Sequence, residues 1–501
     1  MSAKQARDLV LAMVEEKIEL ESLFALLTIR MVALGILVPT GMSALSVGAT
    51  TPGLPATLNF AASGTPSLSP IDWTRLDLLL STYHDRIFIV EGCRFGFKLG
   101  YRGGPSSTEG KNALSVRQNT KEVFKKINAE RELARIAGPF KSKPFSPFKC
   151  SPLSLRPKST PGKFRLLHDL SSPHNHHAVN ACIRDEDAKV TYASVIDAIK
   201  VLVGMEGAYL AKGDLKDAYR QIPLAPDQYW LVGFKVQGSY FHDCRLPMGA
   251  RSSCAIFERF ASSLQYILEN HYRVRHVIKM LDDFLFIGAS EEECYHGLAS
   301  FQHLCSSLNL PLAEEKTVYP SRQVVFLGIF LDAEAQLASI PYEKTSKYAN
   351  HIDDILRKKS ISLGSLREIT GKLEHVTAII KGGKAFLRRL HSAKCGVQQA
   401  NRRILLSDPL REDLKLWTHF LKTYNSRTLF SYVLHPRSSA FILGSDASKK
   451  GFGGYWGRRC IAGRFPSSWS HLDIQTLELY PILALVGSNA DDMRLPNPCQ
   501  V

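Results

Sequence analysis

The sequence predicts a mixed α+β fold. Three observations carry that expectation. Residues 190 to 340 alternate strand-like and helix-like segments, residues 341 to about 435 are mostly amphipathic helix, and strand-like sequence returns near Ala440. With 501 residues, 45% of them hydrophobic, the chain is long enough for several domains that each bury a core.

Charge narrows the class of partner. The formal net charge is +16, with a pI of about 9.3. Such an excess points to a polyanion, nucleic acid before an anionic membrane. The ten cysteines are dispersed, with no CxxC pair of a zinc or redox site. Together with the lack of a signal-peptide pattern, this predicts a reducing compartment, cytoplasmic or nuclear. The apolar run Ser22 to Val38 carries Arg30 at its middle. A central Arg costs about 2.5–3.5 kcal/mol on insertion scales. A soluble amphipathic helix is therefore expected there, and no membrane span.

The elements follow in order. Residues 1–80 read as a helix and then a Pro/Gly/Ser/Thr-rich linker. "NTKEVFKKINAERELARIAGPF" places Val123, Ile127 and Leu133 at helical spacing and ends at Gly138-Pro139, a stop signal. In the next stretch Lys141, Lys143, Lys149, Arg156, Lys158, Lys163 and Arg165 interleave with Phe140, Phe145, Phe148 and Phe164. That texture suits a phosphate backbone with stacked bases, or a solvated loop with its Phe rings packed beneath. "GAYLAKGDL" and "YWLVGFKV" read as strands. "SCAIFERFASSLQYIL" reads as a helix with Ile256, Phe260, Leu264 and Ile267 on one face. "VIKMLDDFLFIG" is strand-like on both sides of an acidic pair. "SEEECYHGLASFQHLCSSL" is a helix with Ser290 as N-cap and Glu293 at the capping-box position. "VVFLGIFLD" reads as another strand. Two amphipathic helices, "TSKYANHIDDILRKKS" and "SLGSLREITGKLEHVTAII", follow. "SAFILGSDASKKGFGGYWG" brings strands back, and "IQTLELYPILALV" an apolar helix.

The chemistry concentrates in the carboxylates. Of three Asp-Asp pairs, Asp353-Asp354 is read in the first turns of a helix, where acids suit the dipole, and Asp491-Asp492 in a polar stretch. Asp282-Asp283 alone has apolar strand residues on both sides. In a straight strand the two side chains would point to opposite faces, whereas a tight hairpin presents both at its tip. Two close carboxylates need a cation, and an oxygen-only donor set suggests magnesium. In "YLAKGDLKDAYRQIPL", Asp214 closes a strand, and Asp217, Ala218 and Tyr219 form a small surface beyond it. Three carboxylates on neighbouring strands could hold two metals about 3.5–4 Å apart for an in-line displacement. The blander reading is that Asp214 and Asp217 only cap a helix.

These motifs, in this order, resemble a reverse transcriptase. "GDLKDAYRQIPL", "RLPMGARSSCAIFERF" and "KMLDDFLFIG" resemble its catalytic motifs; "LNLPLAEEKT" and "VVFLGIFLD" resemble the lysine motif and primer-grip hairpin that follow. Upstream, "GPF", "SPLSLRPKSTPGKFRLLHDLSSP" and "AVN" resemble the fingers. The resemblance runs from about Gly92 to Arg389 and is most similar to DIRS-like retrotransposons. It implies a right-hand polymerase with fingers, palm and thumb, followed by a connection region and a partial ribonuclease H-like α/β domain. The implied activity is RNA-directed DNA synthesis on an RNA or DNA template-primer. Deoxynucleoside triphosphates are the implied substrates, and two Mg2+ ions (or Mn2+) the implied cofactors. A catalytically inactive nucleic-acid-binding remnant of a mobile element is the alternative.

Residue by residue, the resemblance implies Asp214 and Asp282 as principal metal ligands, Asp283 completing the triad, and the Leu215 carbonyl assisting. Lys158 and Arg165 would hold the triphosphate. Tyr219 would exclude a 2′-hydroxyl, Met248 and Gly249 would line the nucleotide pocket, and Lys316 would donate a proton to pyrophosphate. Met280 and Met248 depart from residues common in the family. In the last segment, Asp446 and Glu478 resemble the first two ligands of ribonuclease H, with the sequence ending before the remaining acids, so a truncated and inactive domain is expected. The expected domains are 1–80, 81–340 (fingers and palm), 341–435 (thumb and connection) and 436–501.

Overall fold

The computed structural model describes residues 70–157, 162, 164–396, 399, 401–423, 427–430, 443–456 and 459–469, together with 474, 477, 478, 480, 481 and 484. Its centre is a four-stranded antiparallel sheet. In chain order the elements around it are β1 (Tyr209–Asp214), α1 (Ser253–Asn270), β2 (Val277–Met280), β3 (Asp283–Gly288), α2 (Glu291–Ser307) and β4 (Val318–Ser321). The strands lie in the order β4-β1-β3-β2.

The apolar run after the acidic pair is explained by burial on both faces. Alternate side chains of a strand point to opposite sides. Phe284 and Phe286 join one core with α1 and α2, while Leu285 and Ile287 join a second core with the later helices. Both cores are closed, so every position of "FLFI" is apolar. Gly213 in β1 is demanded by contact: a Cβ there would lie 2.7 Å from the Phe301 ring of α2.

The helical assignments for α1 and α2 hold. Ile256, Phe260, Leu264 and Ile267 are all buried. Ser290 caps α2 by accepting the Glu293 N–H at 3.2 Å. The Glu293 carboxylate reaches the Ala289 N–H rather than that of Ser290, so only half of the expected capping box forms. "VVFLGIFLD" is two strands, Gln323–Phe326 and Ile329–Asp332, joined by a turn with positive φ at Leu327 and Gly328. "YWLVGFKV" is a strand only over Gly233–Val236, after a 3-10 turn at Pro226–Leu231.

Upstream, the helix Thr120–Glu132 buries Val123 and Ile127 and stops six residues before Gly138. Ala134 has φ 51°, Leu133 is exposed, and Ile136–Phe140 is a strand. The expected boundary at residue 80 falls inside packed chain: Ile71, Leu76 and Leu80 belong to the first core.

Beyond the central sheet, a second four-stranded sheet pairs Leu337–Ser339 with Arg427–Leu429. The helices Tyr342–Leu356, Leu363–Val376 and Asp408–Thr423 pack beside it around Trp417. Asp353 and Asp354 lie in the last turn of the first of these helices, where the dipole disfavours them. Lys422 and Arg357 pair with them instead. Asp491 and Asp492 lie outside the described residues. A three-stranded sheet, Leu443–Ala447, Gly451–Trp456 and Arg459–Arg464, ends the described strands. No described helix is long and apolar enough to cross a membrane.

Candidate active site

The site forms where β1 and β3 end together. The β1–β3 register sets Asp283 directly opposite Asp214. Leu281 turns the β2–β3 hairpin with φ 55°, placing Asp282 at its tip. The Asp282 carbonyl accepts the Leu215 N–H at 3.1 Å. On the other side, Asp214 and Pro311 carbonyls accept the Ala313 and Lys216 N–H groups, each at 2.9 Å. Residues 214–216 are thus held between the hairpin tip and the loop leading to Lys316.

Two lysines supply counter-charge. Lys316 Nζ donates to Asp214 Oδ1 at 2.9 Å, and Lys212 Nζ lies 3.1 Å from Asp283 Oδ1. The pairing with Asp214 raises the Lys316 pKa. Burial, with the charge of Asp214 added to it, pushes the Asp282 carboxyl above its usual range. Burial likewise raises Asp283, against the pull of Lys212. Carboxylates raised chiefly by burial carry their charge at a desolvation cost that a bound cation would offset. Their donor set is oxygen-only, which suits a hard divalent cation. Among the described residues no three acidic, His or Cys side chains close into a metal shell as they stand; the lysines hold the counter-charge positions.

The hairpin is braced from beneath by residues that sequence reasoning missed. Glu258 of α1 accepts the Leu281 N–H at 3.0 Å and pairs with Lys279, which is buried. A polar residue on a helix reads as solvated, so only the nearby buried Lys279 could have signalled this brace.

The surface beyond Asp214 is built as a left-handed turn. Asp217 has φ 52° and its side chain makes no capping hydrogen bond; its carboxylate meets Arg135 Nη1 at 2.9 Å. That excludes the simple capping reading for Asp217. Ala218 is buried, and Tyr219 packs on Phe257 with ring centroids 5.1 Å apart. The Tyr219 hydroxyl donates to Cys254 Sγ at 3.2 Å. Burial, followed by that contact, raises the Tyr219 pKa.

The other expected residues are more dispersed. Arg165 is exposed on a two-stranded hairpin, opposite Arg156; Lys158 lies outside the described residues. Met248 is exposed, whereas Gly249 abuts the Arg165 strand so closely that a Cβ would lie 2.0 Å from the His168 carbonyl oxygen. Of the basic–aromatic stretch, Phe148 and Lys149 are fully buried, and Lys149 Nζ bonds Ser106 Oγ and the His177 carbonyl. The packed alternative therefore holds for those two. Asp446 is exposed and accepts its neighbour's N–H, that of Ala447. Glu478 lies in a helical turn tied to the terminal sheet through Tyr480 and Phe452, centroids 4.7 Å apart.

Comparison with known proteins adds the following. Residues 158–331 match the family model described as reverse transcriptase (RNA-dependent DNA polymerase). The chain is 23% identical over 191 residues to the retrovirus-related Pol polyprotein from transposon gypsy of Drosophila melanogaster, covering 37% of this chain and 18% of that protein. It is 25% identical over 260 residues to the Gag-Pro-Pol polyprotein of Human T-cell leukemia virus 2, covering 50% and 16%. The chain thus spans under a fifth of the length of these relatives. The fold is similar to that of the foamy viral protease-reverse transcriptase in complex with double-stranded DNA: TM-score 0.50, 17% identity, 79% of this chain and 64% of that one. The same viral protein in complex with an RNA/DNA hybrid matches at TM-score 0.50 and 16% identity, over 78% and 49%. The architecture is a right-hand polymerase fold.

Proposed function

We propose that the reverse transcriptase domain carried by this chain is an active RNA-directed DNA polymerase of a retroelement, adding deoxynucleotides to a primer on an RNA or DNA template. The observation that supports this most is the register that sets Asp283 opposite Asp214, with Asp282 at the adjoining hairpin tip. Asp214, Asp282 and Asp283 would hold two divalent cations, Mg2+ or Mn2+, with the Leu215 carbonyl assisting. When bound, such ions stabilise the attacking and leaving oxygens of phosphoryl transfer.

The chain's own residues do the rest. The β1–β3 pairing fixes the carboxylates in advance, so little rearrangement is needed to position the primer end. Lys316, paired with Asp214, would balance that carboxylate until a cation arrives and would hand a proton to the leaving pyrophosphate. Tyr219, held by Phe257 and Cys254, would wall the sugar pocket against a 2′-hydroxyl. Arg165 and Lys158 would neutralise the triphosphate through charge-assisted bonds, with Met248 and Gly249 lining the base. The finer affiliation, a DIRS-like element whose Asp446 and Glu478 belong to a ribonuclease H-like segment, rests on the motif resemblance.

A second reading is a nucleic-acid-binding remnant without catalysis. The lysines seated on Asp214 and Asp283 favour it, since a cation must displace them. Primer extension by the purified chain decides between the two. Synthesis with Mg2+ that Asp282→Asn abolishes supports the polymerase; salt-dependent binding without synthesis supports the remnant.

A further inference from the structure

Neither Met248 nor Gly249 has a side chain that anchors it. Met248 is 56% exposed, and at Gly249 the His168 carbonyl leaves no room for a Cβ. Hydrogen bonds inside the turn set its shape: the Ala250 N–H donates to the Pro247 carbonyl at 3.2 Å, and Ser253 Oγ donates to the same oxygen at 2.6 Å. These bonds leave open how far the turn stands from the strand that carries Arg165.

Asn180, the last residue of "AVN", makes that link. It opens a short 3-10 turn, Asn180–Cys182, directly after the buried Ala178 and Val179. Its backbone N–H donates to the Leu170 carbonyl at 3.1 Å, two residues past the Arg165 strand Phe164–His168. Its side chain reaches the other way. Nδ2 donates to the Gly249 carbonyl at 2.9 Å and to Ser171 Oγ at 2.8 Å, and Oδ1 accepts the Arg251 N–H at 2.8 Å. A side-chain amide has two N–H donors, and both are in use. The amide thus meets the turn as a peptide group of a neighbouring strand would, with one donor and one acceptor. Only one orientation fits: turned over, it would set oxygen against the Gly249 carbonyl and nitrogen against the Arg251 N–H. Arg251 Nη1 adds a separate tie to the Ile183 carbonyl at 3.3 Å, so the turn stays attached when the amide contacts are lost.

We propose that Asn180 is a positioning residue for the nucleotide pocket. It locks the Met248–Gly249 turn to the segment that follows Arg165, so that the wall against the base and the cation for the triphosphate keep one spacing. Setting both in advance spares the ordering that nucleotide binding would otherwise require. The proposal rests on the polymerase reading above. Under it Asn180 acts through the backbone of Gly249 and Arg251 and touches no substrate atom.

The test is single-deoxynucleotide insertion by the full chain on a primed RNA template, with KM for the nucleotide and kcat measured separately. Asn180→Asp is nearly isosteric. It keeps an acceptor for the Arg251 N–H but loses both donors and sets an oxygen against the Gly249 carbonyl. KM should rise at least about tenfold, the scale of one hydrogen bond lost. With kcat held within about threefold, that pattern marks lost binding rather than lost chemistry. Ser171→Ala removes only the contact that does not reach the turn and should leave KM unchanged. Amide hydrogen exchange on the same proteins without substrate gives a second readout. It should quicken over residues 247–253 in Asn180→Asp alone, and it decides the matter where activity is too low for a KM. Faster exchange throughout the chain marks general loosening and overturns the proposal. An unchanged KM in an active Asn180→Asp, or an equal rise in Ser171→Ala, also overturns it and leaves the polymerase reading standing. A wild type that inserts no nucleotide removes the reading and the proposal together.

Discussion

Asp283 lies directly across the β1–β3 strand pair from Asp214, though 68 positions of sequence lie between them. The hairpin tip adds Asp282 beside that pair. This juxtaposition is why two adjacent carboxylates can be kept within an apolar run: they form the end of a rigid sheet rather than part of its core.

The brace under the hairpin should matter as much as its tip. Glu258→Ala leaves Lys279 buried without its counter-charge and frees the Leu281 N–H. A loss of about 3–5 kcal/mol is expected from breaking one side of a buried ion pair, measured by urea unfolding. Replacing both partners, Glu258→Leu with Lys279→Met, should recover much of that stability.

The acid limb of stability should run through Asp243. It is buried against Arg220 and His168. Burial alone would raise its pKa, but the charge of Arg220 and the bond to His168 outweigh that and hold it below 3.8. A lowered carboxyl pKa stabilises the fold above the unfolded value and loses that contribution as pH falls through the folded one. Wild type should therefore lose stability more steeply than Asp243→Asn below about pH 4. Urea midpoints from pH 7 to 3 check this; parallel curves would count against it.

Gly213→Ala should destabilise by about 1–3 kcal/mol, the usual cost of overpacking. The new methyl meets the Phe301 ring. Phe301→Leu in the same chain should relieve part of the strain, a non-additivity that a double-mutant cycle reads.

Tyr219→Ala should raise ribonucleotide incorporation relative to deoxynucleotide by opening the wall near the sugar. Cys254→Ala removes the partner of the hydroxyl and leaves the Tyr219 ring in place. It should shift the same ratio in the same direction by less. Single-nucleotide incorporation with paired dNTP and NTP substrates measures both.

Much of this was legible in the chain. The apolar flanks of Asp282-Asp283 announced the hairpin, and α1, α2 and the Ser290 cap followed from periodicity and one local hydrogen bond. What stayed hidden depends on distant partners. Arg135 is 82 residues from Asp217, and Lys212 reads as an ordinary strand lysine until β3 arrives beside it. Leu133 lies six residues past Ile127, off the Val123–Ile127 face, and the helix ends before it at Glu132 with the Leu133 side chain in solvent. The helix dipole alone disfavours Asp353 and Asp354 in a last turn, and their salt bridges to Lys422 and Arg357 decide their place.

The most direct test of the account is primer extension on a primed RNA template with Mg2+, comparing wild type with Asp282→Asn at matched thermal stability. The account predicts robust synthesis by wild type and a loss of at least about 1000-fold in the variant, equivalent to several kcal/mol of transition-state charge stabilisation. Synthesis by Asp282→Asn at the wild-type rate would contradict it.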